Sequence, residues 1–278
     1  MKIKESPRVL YGNNPLIEVL AQVRFDRLLS LVSDAPKELQ GALSKAGYTQ
    51  LDIEQSASIQ IAFGPGSTVS ERAAPAPAPA PGIPAIFHFS SQDGQRKFSV
   101  CADFVAYSTS TYTEWKDFKA SFMEGFAAFA AIYGGQAAVR RVGLRYKDLI
   151  EREPLNLAGV PWRELLAPIV SGVFSADDFA EAGTFDEQAI EQQASQVLLG
   201  LDNCKVLLQS AILRSVQDSS KQAFLVDSDF FKDLSGLSVE NSGIAPLLED
   251  LHRNANAVFR HCIKERLHAA LLPQSPKS

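Results

Sequence analysis

The sequence predicts an α+β protein of antiparallel sheets with packed helices, and three features carry that prediction. Strand-length runs rich in β-branched and aliphatic residues recur between turn signals. An aromatic stripe at helical spacing, Trp115, Phe118, Phe122, Phe126 and Phe129, requires a surface to pack on. An amphipathic stretch with steps of three and four closes the chain. The expected order is β-α-β-β-β-α-β over residues 1–150, then a smaller strands-then-helix half over residues 151–278, packed as one unit with the first.

Taken in order, Asn14 to Phe25 reads as a strand. Alternation puts Ile17, Val19, Ala21, Val23 and Phe25 on one face and Leu16, Glu18, Leu20, Gln22 and Arg24 on the other. Pro36 to Ala46 reads as a helix capped by Asp34 and stopped by Gly47, with Leu39 and Leu43 buried. Leu51 to Phe63, Ile86 to Phe89 and Lys97 to Tyr107 are the next strands, the last two joined through the hairpin signal Asp93-Gly94. An Ala-Pro run within residues 64–85 interrupts them as a flexible or polyproline II loop. Thr113 caps a helix to Ile132 that Gly134-Gly135 ends, and Val139 to Ile150 is the last strand of this half. Beyond it come a short helix, Trp162 to Leu166, a hairpin from Ser195 to Ser215 around Asp202-Asn203, a strand from Gln222 to Phe230, and a closing helix from Ile244 to Leu271 ended by Pro273.

Composition narrows the function. With 27 Lys plus Arg against 32 Asp plus Glu the net charge is -5, which lacks the basic footprint of sequence-independent nucleic-acid binding. No apolar run is long enough to span a bilayer, so no membrane partner is expected. The N-terminal residues contain no apolar signal core, and a cytoplasmic location is the default expectation. Cys101, Cys204 and Cys262 are too few and too scattered for a disulfide framework or a zinc knuckle, and read as reduced and buried.

Catalytic motifs are absent: no phosphate-binding glycine loop, nucleophile elbow, zincin helix or calcium loop. His252 and His261 fall on opposite sides of the last helix, and His261 and His268 lie two turns apart, so no pair clamps a zinc ion. Asp227 and Asp229 share a strand face but lack a third ligand at a defined offset. His88 in Phe-His-Phe reads as a satisfied sheet residue. No metal or cofactor is expected. The polar set that stands out is Glu18 and Arg24 on one strand with Arg141 and Arg145 on another, charges at alternate positions of strands whose other face is apolar. If the strands are neighbours, Glu18 meets an arginine, and the remaining guanidinium can hold a small anion such as phosphate or carboxylate.

Two stretches, Asn14-Pro15-Leu16-Ile17-Glu18-Val19 with Arg24-Phe25, and Arg141-Val142-Gly143-Leu144-Arg145-Tyr146, together with Leu251-His252 and Phe259, resemble a sporadically distributed, uncharacterised bacterial family of about 250-residue proteins. The resemblance implies a fold and a patchy bacterial distribution but no reaction, and it singles out the same Glu18, Arg24, Arg141 and Arg145. Lys147-Asp148 departs from that family's usual pattern after the Arg-Tyr pair. The leading expectation is a non-enzymatic binding protein that recognises a protein partner or a small anionic ligand, its sheets and terminal helix offering homodimer surfaces. The alternatives are a phosphate- or nucleotide-processing enzyme using the Arg/Glu set, and a component of a mobile defence or toxin-neutralising system.

Overall fold

The structure, a computed structural model, describes residues 1–4, 6–55, 85–176, 186–215, 221–239 and 243–275. Its strands are β1 (Leu10–Tyr11), β2 (Leu16–Phe25), β3 (Tyr48–Gln55), β4 (Ala85–Ser91), β5 (Arg96–Cys101), β6 (Phe104–Thr109), β7 (Ala138–Glu151), β8 (Ala194–Gly200), β9 (Lys205–Arg214), β10 (Gln222–Ser238) and β11 (Pro273–Gln274). The helices are α1 (Ser30–Ser33), α2 (Lys37–Lys45), α3 (Trp115–Tyr133), α4 (Trp162–Leu165), α5 (Pro168–Ser171), α6 (Ile244–Cys262) and α7 (Glu265–Ala270). The fold is α+β with a large antiparallel sheet, ordered β3-β4-β5-β6-β2-β7-β10-β9-β8, and a small pair, β1 with β11. The Ala-Pro run, Ala73 to Gly82, lies outside the described residues.

The chain separates into two compact units that interleave in sequence, in place of successive halves meeting at residue 150. One comprises Met1–Glu18, Arg145–Phe231 and Glu249–Ser278; the other comprises Val19–Leu144 and Lys232–Leu248. The chain crosses between them inside β2, β7, β10 and α6. Val19 to Arg24 of β2 pair with β6, whereas Gln222 to Phe231 of β10 pair with β9.

In the second unit the core side of β2 is as alternation predicts: Val19, Ala21 and Val23 have no exposed surface and Phe25 has 4 %. Against this sheet packs α3, with Phe129 stacked on Phe25 at 5.1 Å between centroids and Phe118 on Tyr107 at 5.2 Å. The helix starts one residue later than expected, with Glu114 rather than Thr113 at the N-cap and no side-chain capping bond, and Trp115 at its first position is buried. Pro36, not Asp34, precedes the first residue of α2. The expected strand from Lys97 to Tyr107 is two strands. A turn at Ala102-Asp103 closes β5 onto β6, and since neither turn residue adopts positive φ, no glycine or asparagine marks it in the sequence. Gly94, at φ +71°, turns β4 into β5 as its Asp-Gly signal predicts.

In the first unit Trp162 and Phe224 lie 5.2 Å apart between centroids, with Phe174 6.1 Å from Phe224, under the inner side of β9 and β10. Arg152 completes this core. It is 5 % exposed, sits 4.3 Å above the Trp162 ring, and donates to the Val160 carbonyl at 2.8 Å and to Glu187 at 2.6 Å. The expected single helix to Leu271 breaks after Cys262. There Ile263 bridges Leu166, the Cys262 carbonyl accepts from Ala167 N–H at 2.8 Å, and Lys264 N–H donates to the Leu165 carbonyl at 2.8 Å. Backbone groups that a continuous helix would pair internally are spent on the α4–α5 connection instead.

Gly125 tests the second unit's packing. A Cβ there would stand 2.5 Å from the Phe98 ring, so Gly125→Ala forces the ring to move. Overpacking of that kind costs about 1–3 kcal/mol, against about 1 kcal/mol of helix propensity gained. Urea denaturation is expected to show a lower midpoint for Gly125→Ala; an unchanged or higher midpoint would refute this packing.

Candidate functional site

The charged half of β7 lies in the first unit, and its alternation divides the polar chemistry in two. Arg145 and Lys147 fall on one side of the strand; Tyr146, Asp148 and Ile150, all buried, fall on the other, toward α6.

On the first side Arg145 grips Asp227 of β10 through both carboxylate oxygens, Nε to Oδ1 at 2.7 Å and Nη2 to Oδ2. Asp227 is 3 % exposed, and the register sets it opposite Gln209 of β9. Burial alone would weaken the Arg145 charge. The hydrogen bonds and charge of Asp227, with Asp229 and Glu18 nearby, outweigh it and raise the guanidinium pKa. Beside this pair Lys147 binds Glu18.

This arrangement differs from the expected anion site. Glu18 does meet a cation of the neighbouring strand, but the cation is Lys147 and not an arginine. Arg145 is committed to Asp227, which also removes Asp227 from any shared ligation with Asp229. Arg24 and Arg141 belong to the other unit, where Arg24 binds Asp103 at 2.6 Å and Arg141 is half-buried. His88, also in that unit, is bonded at both ring nitrogens, to Ser99 Oγ at 2.8 Å and Glu54 Oε2 at 3.1 Å. Among the described residues no three His, Cys, Asp or Glu side chains gather to hold a metal ion.

On the inner side Tyr146 reaches α6, its hydroxyl 2.8 Å from His252 Nδ1. The other ring nitrogen, Nε2, lies 3.0 Å from Arg8 Nη2. A guanidinium can only donate, so a hydrogen bond from Arg8 requires Nε2 to accept, and the tautomer that fits both contacts carries its proton on Nδ1, donating to the Tyr146 oxygen. The chain Tyr146–His252–Arg8 ends at a cleft of about 510 Å³ lined by Lys2, Arg8, Asp202, His252, Arg253 and Asn256, among others. The volume is that of a small-molecule site. Asn256 holds the wall in place by donating to the Ser6 and Pro7 carbonyls at 3.3 Å each.

Asp148, two residues along β7 from Tyr146, is 4 % exposed and makes no hydrogen bond among the described residues. Burial, with a smaller contribution from the Asp227 charge, pushes its carboxyl up to about 8. The same burial, with Asp148 nearby, lifts the Cys262 thiol to about 12, which leaves it an unreactive core group. Tyr11, pushed to about 12 by burial, bonds His268 Nδ1 at 3.0 Å and ties the β1–β11 pair to α7.

No protein-family model matches the chain, and no curated protein sequence matches it.

Sequence reasoning missed the inner chain. It weighed His252 only as a zinc ligand, gave Tyr146 no role and passed over Arg8. The available signal was that Tyr146 and His252 both stood in the patterns on which the family resemblance rests, yet their contact spans 106 positions.

Two stability predictions follow from these neighbours. Arg145→Ala strands a buried carboxylate and is expected to cost about 3 kcal/mol or more, whereas Lys147→Ala, at a part-exposed pair, is expected to cost less than about 1 kcal/mol. Equal costs in urea titrations would contradict this ranking. For Asp148 the folded pKa lies above the unfolded one, so its contribution to stability is fully present below about pH 4 and is lost as pH rises through about 8. Asp148→Asn is expected to melt higher than the parent at pH 8.5 and to flatten the pH profile; parallel profiles would show that the carboxyl is not perturbed.

Proposed function

We propose that the protein is a non-enzymatic binding protein whose ligand is a small anion held in the cleft of the first unit. One observation carries this reading: Arg8 and Lys2 border the cleft and neither makes an ion pair among the described residues. Elsewhere in the same unit Arg145, Arg152, Arg253, Arg260 and Arg266 each have a carboxylate partner. A cation in a concave site with no carboxylate partner among the described residues favours a negatively charged guest. A phosphate-processing enzyme built on Glu18, Arg141 and Arg145 finds less support, since Glu18 and Arg145 are engaged with Lys147 and Asp227.

Kinship with the sporadic bacterial family belongs to this proposal, as does a cytoplasmic setting. The latter draws support from Cys101, Cys204 and Cys262, all buried and none of them in a disulfide, which suits a reducing compartment. No described helix is long and apolar enough to cross a membrane.

Calorimetric titration with sulfate, as a generic oxyanion, tests the site. Saturable binding to the parent is expected, with Arg8→Ala weakening it about tenfold or more while leaving the melting temperature within a few degrees. No binding to the parent, or equal binding to Arg8→Ala, would overturn the assignment.

A further inference from the structure

The direction of one hydrogen bond makes the cleft pH-dependent. Arg8 Nη2 and His252 Nε2 are 3.0 Å apart, and the contact exists only while Nε2 carries a lone pair. On the opposite side of the ring the Tyr146 oxygen accepts from Nδ1–H. Protonation leaves the Tyr146 bond intact, because Nδ1 is a donor in both states, and turns Nε2 from an acceptor into a second donor aimed at Arg8. Two donors cannot share that position, so Arg8 is released. The ring, still anchored on β7, then presents an N–H to the cleft.

We infer that His252 is a pH-operated ligand-binding residue. In its neutral form it tethers Arg8; in its protonated form it frees Arg8 and joins it in clasping an oxyanion between two charged donors. This inference rests on the anion-site reading and adds its regulation. Among the described residues, charged groups around the cleft bear on the protonation of His252. Arg8 and Lys2 of the N-terminal segment oppose a charged imidazole. Asp202, between β8 and β9, and Glu249 on α6 favour it, although Asp202 also lies 3.0 Å from the Met1 amino group. Arg253 is offset by Asp250 at 2.9 Å, and Tyr146 beneath the ring accepts in either state. An oxyanion entering the cleft favours protonation of the ring, and by linkage protonation tightens the oxyanion.

The ligand class is an oxyanion that remains fully charged across the histidine range. A monophosphate monoester loses part of its charge near pH 6, where the imidazole gains its own, and so is poorly matched to the switch.

Sulfate keeps its charge throughout this range, so any pH dependence of its binding comes from the protein. Its affinity for the parent is expected to rise about tenfold or more between pH 8 and pH 5.5, the worth of one added charge-assisted bond. His252→Gln, whose side-chain oxygen can still accept from Arg8, is expected to bind at the pH 8 level at both pH values. Nitrogen-15 NMR of the unliganded parent gives a separate readout, with His252 expected as the Nδ1–H tautomer at pH 8. Equal parental affinity at both pH values, an Nε2–H tautomer, or an unchanged pH response in His252→Gln overturns the switch and leaves the anion site standing. Absence of sulfate binding at either pH overturns the anion site itself.

Discussion

The alternation of β7 is the constraint on which the candidate chemistry depends. Successive residues of a strand point to opposite sides, so Arg145-Tyr146-Lys147-Asp148 cannot pool their polar groups in one place. Arg145 and Lys147 go to carboxylates on β10 and β2; Tyr146 and Asp148 go under α6. A one-residue slip in register would exchange the two sets, burying two cations beneath the helix and stranding Asp227. The Arg145–Asp227 pair therefore acts against misregister as much as it adds stability. Desolvating both charges consumes much of their attraction, but losing one partner leaves the other buried at full cost.

The same economy of backbone bonds explains the C-terminal end. A helix running from Ile244 to Leu271 satisfies its own amides. The chain instead gives up a turn at Ile263, because Leu165, Leu166 and Ala167 present backbone groups that a buried connection must pair. The break frees α7 to lay His268 against Tyr11 and to bury Leu267. Amphipathic spacing reports which face a helix buries and is silent on a competing backbone partner more than 90 residues earlier in the chain.

That difference separates what could be read in the sequence from what could not. Period-two and period-3.6 patterns placed β2, β7, the β8–β9 hairpin and the aromatic stripe of α3, since each is a local consequence of burying one face. The Ala102-Asp103 turn was hidden because it lacks positive φ. For the site, alternation identified the charged face of β2 and β7 but not its partners: Lys147 took Glu18, and Asp227, 82 positions from Arg145, took the guanidinium. Long-range pairing of like types, one arginine among several and one aspartate among several, has no local signature.

The inner chain was harder still to read, because its meaning lies in proton positions and not in residue types. A tyrosine, a histidine and an arginine are each common, and on an amphipathic helix a histidine is ordinarily a rim residue. What distinguishes His252 is that two of its neighbours make unequal demands. Tyr146 can accept or donate and so tolerates either protonation state, whereas Arg8 can only donate and tolerates one. An imidazole held between a tolerant and an intolerant partner keeps its place while changing its bonds. Were Arg8 replaced in that position by a carboxylate, the histidine would be held charged and the cleft would have no reversible element. The identity of residue 8 decides whether a histidine in α6 is structural or responsive, which only the folded geometry can reveal.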